Sequence, residues 1–318
     1  MLGSRDLLLL QATPLPSEQT QRRAPARADR VPLGIFYMLG ATLLFAGSFA
    51  ISKWQVATYS FAEVLFFRAF GSLVTCAALI LPRTGLSVFR TRRLPTHLGR
   101  NAAQGMAQSL FVLALGLMPL AGVVAINFSA PIFAALAAAL WLHERIGRAR
   151  GAALLVGFAG VLLVASPGAD SFRIGALFAV ANAVMYGSVT AAVRGMSATE
   201  SAETLTMYQM VLLTLFFAVA MAIFGYATPT AGALGPLLIN GALNGVAQYL
   251  WTRSLSLAPT AAVGPFYYFS LVWAMILGFV FWGDVPTSLL LLGSAVVVGS
   301  GLFLLWHERG KQAPPELD

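Results

Sequence analysis

Ten stretches of about 20 predominantly apolar residues follow one another along this chain, at about 32–52, 63–82, 99–118, 121–142, 149–166, 173–193, 203–225, 233–255, 260–282 and 286–306. That is the length a helix needs to cross the hydrocarbon of a bilayer. Lipid offers the backbone no hydrogen-bond partner, so a spanning segment must be a helix or a strand of a closed barrel. Barrel strands would alternate polar and apolar residues. These runs are instead continuous and rich in Gly, of which the chain has 30, and small residues let helices pack closely in lipid. Only 10% of the residues are charged, against about 25% in soluble domains. The expected fold class is an all-α membrane protein of ten transmembrane helices.

The links near 119–120 and 257–259 are short and marked by Pro119 and Pro259, so the spans they join are antiparallel hairpins with no room for a soluble domain. Basic residues sort by side. If the N-terminus is cytoplasmic, the inside segments hold Arg5, Arg22, Arg23, Arg27, Arg30, Arg83, Arg90, Arg92, Arg93, Arg100, Arg145, Arg148, Arg150, Arg194, Arg253, Arg309 and Lys311. The other side keeps Lys53 and Arg173, and Arg68 lies within a span. The positive-inside rule then puts both termini in the cytoplasm and the protein in the bacterial inner membrane. Residues 1–31, rich in Pro, Gln and Arg, read as a disordered cytoplasmic tail, and 309–318 as a second tail.

The net charge of +8 is spread over loops without a basic and aromatic patch, which argues against a nucleic-acid partner. His97, His143 and His307 stand singly, Cys76 is the lone cysteine, and no metal-ligand or nucleophile spacing occurs, so neither a metal, a cofactor nor an enzyme activity is expected. The expected partners are a small-molecule substrate and the lipid bilayer, with a homodimer as an option for the assembly.

Residues 105–108 read GMAQ and residues 245–248 read GVAQ, and a shift of 140 residues without a gap aligns much more than that word. AQGMAQSLFVLALGLMPLAGVV at 103–124 falls on LNGVAQYLWTRSLSLAPTAAVG at 243–264, Glu63 falls on Glu203, and Glu144 on Asp284. The chain is two copies of one five-helix unit, 32–168 and 172–308. Five is odd, so the second copy enters the membrane from the opposite side. Inverted repeats with a site near the midplane at their interface are a plan of secondary transporters, and the two GxAQ words are then two walls of one alternating-access cavity.

The stretch LMPLAGVVAINFSAPIFAALAAALWLHERIGRARGAALLVGFAGVLLVASPG resembles an EamA domain, in which a Pro-bearing helix leads into LxERxGxxxxxGxxLxxxGVxL. EVLFFRAF with RTRRLPTHLGR is similar to the first half of ten-helix drug/metabolite transporters, and PFYYFSLVWAMILGFVFWGDVP to their second half. The second copy departs from that pattern at Asp284, where Glu is usual, and at Leu271, where the first copy has Pro131. The resemblance implies a secondary carrier, and its subtype is similar to carriers of riboflavin, S-adenosylmethionine, amino acids or metal-chelating metabolites.

Polar groups within a span are costly and so mark candidate sites. Gln104 and Gln108 lie at i, i+4 on one helix face, and Asn244, Gln248 and Trp251 repeat the pattern in the second copy. Gln108 and Gln248 are equivalent under the shift. Asn127 and the Tyr267–Tyr268 pair also occupy equivalent stretches, and Trp251, Trp273 and Tyr186 add surfaces on which a flat solute could stack. Arg68, five residues after Glu63, reads either as snorkelling to the headgroups or as a carboxylate or gating contact. Glu144 and Asp284 read as helix caps or Arg partners, and the glycines of 157–160 and 299–301 as packing sites.

Span 1 contains no Asp or Glu, so proton coupling would fall to Glu63 or Glu203. Both are expected at helix N-termini, where the dipole favours the ionised form, which points to facilitated or exchange transport. A scaffold protein would have no use for amides repeated across an inverted duplication. The residues therefore favour a carrier of a small organic metabolite, and a flat, hydrogen-bonding, riboflavin-like compound fits its amides and aromatics.

Overall fold

The computed structural model describes residues 31–130, 132–133, 136, 148–164, 170–196, 199–226, 229, 231–258 and 260–309. The expectations for both tails, Pro131, Glu144 and Arg145 lie outside the described residues, as do the side chains of Arg148, Arg150, Arg194 and Arg309.

Among the described residues all regular structure is helical: α1 (Val31–Val56), α2 (Phe61–Thr84), α3 (Leu94–Leu117), α4 (Leu120–Asn127), α5 (Arg148–Val164), α6 (Asp170–Met196), α7 (Ala202–Phe224), α8 (Ala231–Leu257), α9 (Thr260–Tyr267), α10 (Phe269–Trp282) and α11 (Ser288–Arg309). A short 3₁₀ turn, Gly85–Phe89, follows α2. Local chemistry sets the ends. Ser60 caps α2 by accepting the Glu63 backbone N–H at 3.2 Å, and Ser201 caps α7 by accepting that of Thr204 at 3.1 Å. Pro95 fits the first turn of α3, where its missing N–H costs nothing. Gly283 closes α10 in the left-handed conformation, φ 67°.

Residues 31–56, 61–89, 202–224 and 263–282 are long and apolar enough to span a membrane by themselves. α3, which is not among them, carries Arg100, Asn101, Gln104 and Gln108 within the helix and owes its place to its neighbours.

Two expected spans are broken. The stretch 121–142 is interrupted after Asn127, where Ser129 N–H turns to the Ile126 carbonyl at 2.9 Å in place of a four-residue bond. The stretch 260–282 is interrupted at Tyr268, whose N–H reaches the Pro265 carbonyl at 3.3 Å, while Leu271 N–H reaches Tyr268 at 3.0 Å. Phe128 and Tyr268 are equivalent under the 140-residue shift, so each copy carries one break at equivalent positions.

Packing follows the 140-residue repeat. α1 lies along α8 as α6 lies along α3; α2 meets α8 as α7 meets α3; α1 meets α10 as α6 meets α4. α2 packs on α7 and α5 on α11, each pair relating a helix to its own counterpart. This is the arrangement of two inverted five-helix repeats. The GxAQ glycines seat these crossings. A Cβ on Gly105 would meet the Phe216 ring at 2.6 Å, and one on Gly245 would meet Thr75 at 2.8 Å and the Ser72 backbone at 3.0 Å. The tightest crossing joins α2 and α8: a Cβ on Gly71 would lie 2.9 Å from Gly241 Cα, and one on Gly241 would lie 2.7 Å from Gly71 Cα. Gly157, Gly160 and Gly301 pack closely as expected, whereas Gly299 faces open space.

Candidate functional site

The two helix breaks meet. Phe128, at the end of α4, places its ring centroid 5.5 Å from Tyr267 in a T-shaped contact and 4.8 Å from Tyr268. Such pairs are favourable beyond the area they bury. Broken helices shorten the backbone ladder just where a solute needs polar partners, and so their junction is a natural place for a site. Asn127, the last residue of α4, accepts from the Asn182 side-chain amide at 2.8 Å. One turn further along α6 stands Tyr186, on the same face as Asn182. The Tyr186 phenol is an electrostatic neighbour of Tyr267 and of Arg100, and Tyr268 is a neighbour of Tyr267. Trp251 packs with Tyr267 and Phe266 around Met38, Ala258 and Val263. Asn127, Tyr267 and Tyr268 therefore meet at one junction, with Tyr186 one turn from Asn182 along α6 and Trp251 against the cluster that Tyr267 also borders. The Trp273 indole N–H is buried without a hydrogen-bond partner among the described residues.

The amide stripes on α3 and α8 are less alike than their sequences. Gln108 Oε1 accepts from Arg68 Nη2 at 2.8 Å, joining α3 to α2. Arg68 is thus not snorkelling: it is 4% exposed and held inside the bundle. Gln248 is half-buried, and its side chain has no hydrogen-bond partner among the described residues. Asn244 Nδ2 donates to Ser72 Oγ at 2.9 Å, beside the glycine crossing of α2 and α8. Asn240, one turn earlier, is fully committed: it donates to Ser52 Oγ at 3.0 Å and Gln55 Oε1 at 2.8 Å and accepts from Ser48 Oγ at 2.6 Å. Tyr208, which replaces Arg68 in the second copy, stacks on His97 at 4.3 Å and donates to the Phe89 carbonyl at 2.7 Å.

Two buried polar residues, one of them at the junction, were not singled out from the sequence. Asn182 is one amide in an apolar helix, and its counterpart is Thr42, so the repeat gave no sign of it. Arg100 was grouped with the loop charges, but it lies within α3, 7% exposed, and donates to Gln209 Oε1 at 2.6 Å and to the Leu205 carbonyl at 3.5 Å. Its position four residues before Gln104 was the available signal. Among the described residues Asp284 neither caps a helix nor pairs with an Arg; its charged neighbour is Lys53. Lys53 Nζ donates to the Leu115 and Met118 carbonyls at 3.1 and 2.8 Å and lies 5.4 Å from the Trp282 ring centre, tying α1 to the ends of α3 and α10. An open groove lined by Phe158, Val161, Leu162, Arg173, Ala176, Leu177 and Val180 contains none of these residues, and its apolar walls suit acyl chains better than a hydrogen-bonding solute.

The EamA-like transporter family matches the chain twice, over residues 32–166 and 173–306. The chain belongs to the EamA-like transporter family. This EamA-like transporter is 29% identical over 94% of its length to a riboflavin transporter of Rhizobium johnstonii, covering 99% of that protein. It is 24% identical to an S-adenosylmethionine uptake transporter of Rickettsia bellii, over 87% of this chain and 94% of that one. To a pseudopaline exporter of Pseudomonas aeruginosa it is 27% identical, over 89% and 99% respectively. A solved crystal structure shares the fold, with a TM-score of 0.60 at 22% identity, over 91% of this chain and 99% of that one. The EamA-like chain is accordingly an integral membrane protein that transports a small metabolite, built from two repeats whose broken helices meet where Phe128 contacts Tyr267 and Tyr268.

Proposed function

We propose that this EamA-like transporter moves a flat, hydrogen-bonding metabolite of riboflavin type across the bacterial inner membrane by alternating access, with both termini in the cytoplasm. Residues 32–168 and 172–308 act as the two halves, and the solute binds where their broken helices meet. The observation that carries the reading is the contact of Phe128 with Tyr267 and Tyr268 beside the Asn127–Asn182 pair. It offers stacking faces and amides at one level of the bundle, the combination a planar ring with polar edges needs. Trp251 and Tyr186 extend the stacking surface. Gln108 with Arg68, Gln248 and Asn244 are the polar walls toward α2 and α8, and Trp273 contributes an indole donor. The similarity to a riboflavin transporter along nearly the whole of both chains supports the choice of solute.

The test is uptake of labelled riboflavin into cells lacking the gene, with and without the protein, followed by the same measurement in proteoliposomes. Time-dependent uptake, displaced by unlabelled riboflavin and lost when Tyr268 is replaced by Ala, is expected. The similarity to a pseudopaline exporter favours a second reading, export of amino acids or metal-chelating metabolites. Loss of such a compound from preloaded vesicles, with no riboflavin movement, would replace the first reading by the second.

A further inference from the structure

Among the described residues Arg68 and Arg100 are the two buried guanidinium groups, and both converge on α3. Arg68 reaches Gln108 from α2; Arg100 stands on α3 itself and reaches Gln209 on α7. Positions 100, 104 and 108 share one face of α3, so the two cations are joined by a stripe whose middle residue, Gln104, is 4% exposed. Eight residues at 1.5 Å each place the ends of that stripe about 12 Å apart along the helix axis. Arg68 lies in the first half of α2 and Arg100 in the first half of α3, an antiparallel neighbour, so the two cations occupy opposite halves of the bundle.

The partners of both are neutral. Among the described residues no carboxylate lies within ion-pair distance of either, and each is met by an amide or carbonyl oxygen only. Arg68 Nη1 and Arg100 Nε are buried with no acceptor at all. A guanidinium always carries its charge, and a charge out of water is ordinarily paired. Here each cation keeps a free donor beside an amide: Gln108 spends its oxygen on Arg68 and retains its own N–H₂, which makes two donors side by side. Paired donors of this kind suit the two oxygens of a carboxylate or a phosphate.

We infer that the solute carried by this protein bears an anionic group, a carboxylate or a phosphate, that supplies the missing counter-ion at Arg68 and Gln108 and passes to Arg100 and Gln209 as the bundle changes state. The inference rests on the proposed function for the place of the solute and adds the charge it must carry. The flat part of the solute lies among Tyr186, Tyr267 and Tyr268, of which Tyr186 is the electrostatic neighbour of Arg100. Its acidic group points along the α3 stripe.

The full chain in lipid nanodiscs tests this with matched solutes: riboflavin against riboflavin 5′-phosphate, and S-adenosylmethionine against its decarboxylated derivative, each by equilibrium binding. The acidic member of at least one pair should bind at least tenfold more tightly than its partner. In Arg68→Gln and Arg100→Gln the ratio should fall toward one, and in Arg68→Lys and Arg100→Lys most of it should return. The wild-type ratio needs no variant, so a misfolded mutant leaves the result intact. Equal binding of the two flavins, with no preference in the other pair, overturns the inference and leaves the riboflavin reading standing. Preference for intact S-adenosylmethionine with no flavin binding does the reverse. Absence of binding by all four solutes overturns both.

Discussion

Phe128 and Tyr268 sit with their ring centroids 4.8 Å apart, so the break in the helix of one repeat rests on the break in the helix of the other. Their backbones are the least regular of the two spans, and the contact is shared between repeats. A change at either residue therefore reaches both halves. Tyr268→Ala should lower transport at least tenfold while leaving the protein in the membrane, and Tyr268→Phe should retain most of it if the ring face rather than the hydroxyl is used. Initial rates in proteoliposomes, normalised to protein content, check this.

Gln108→Ala and Gln248→Ala are each expected to reduce transport more than tenfold in affinity or rate with expression intact. An amide that serves a solute is worth about 1–3 kcal/mol when truncated. The two should differ in stability. Gln108→Ala also strips Arg68 of its acceptor and should lower the thermal midpoint, whereas Gln248 has no partner among the described residues to lose. Wild-type kinetics in either variant would return that residue to packing.

Asn182 and Asn240 make a contrasting pair. Asn240→Ala leaves Ser48 Oγ and Gln55 Oε1 without their partner and takes one of two from Ser52 Oγ, which keeps the Ser48 carbonyl, and it should cost about 1–3 kcal/mol of stability. Asn182→Ala leaves only Asn127 without its donor and should act mainly on transport. Thermal unfolding beside uptake kinetics separates the two. An unfolding midpoint unchanged in Asn240→Ala would contradict its assigned part in the α1–α8 contact.

The topology can be read with single cysteines. Positions 53 and 173 should label from outside intact cells and position 90 only after permeabilisation, since Arg90 is exposed and falls on the side of the basic loops. Cys76 is fully buried against α8, so its own background should be low. Labelling of position 90 from outside would invert the orientation.

Counterflow should persist when the proton gradient is dissipated. Span 1 offers no carboxylate, and the two remaining candidates, Glu63 and Glu203, stand in the first turns of α2 and α7 behind the Ser60 and Ser201 caps. The measurement is exchange into proteoliposomes holding unlabelled riboflavin, with and without a pH step. Accumulation driven by the step alone, and lost in Glu63→Gln or Glu203→Gln, would make those carboxylates the coupling site.

Ten spans and the inverted repeat were legible because they rest on long averages: run length and a shift that holds across four helices. Helix ends drifted by up to five residues, as at α3, which begins at Leu94 ahead of the apolar run because Pro95 starts a helix well in polar surroundings. The breaks were not read from the sequence, because apolarity continues through each. Pairing was the least legible level. Arg68 finds Gln108 forty residues away and Asn182 finds Asn127, and only the packing of α2, α3, α4 and α6 decides such partners. Repetition of an amide marks a shared ancestor position; it does not say whether the amide now faces a solute, as Gln248 is free to do, or a neighbour, as Asn244 does.

The bare backbone contact of Gly71 with Gly241 has a mechanical consequence. Phe67, Arg68 and Leu238 carbonyls crowd the same spot, so neither helix can slide past the other without collision. Tilting about the contact is left. Gly71 has ten residues of α2 before it and thirteen after, and Gly241 has ten and sixteen in α8, which makes both helices levers with arms of about 15–24 Å at 1.5 Å per residue. A tilt of about 10° would carry the two ends of such a lever a few ångströms in opposite directions, so that widening one mouth of the bundle narrows the other in the same stroke. Gly71→Ala or Gly241→Ala should jam that stroke, with uptake falling far more than solute binding, and Gly47→Ala, which meets nothing within 4 Å, should leave it free.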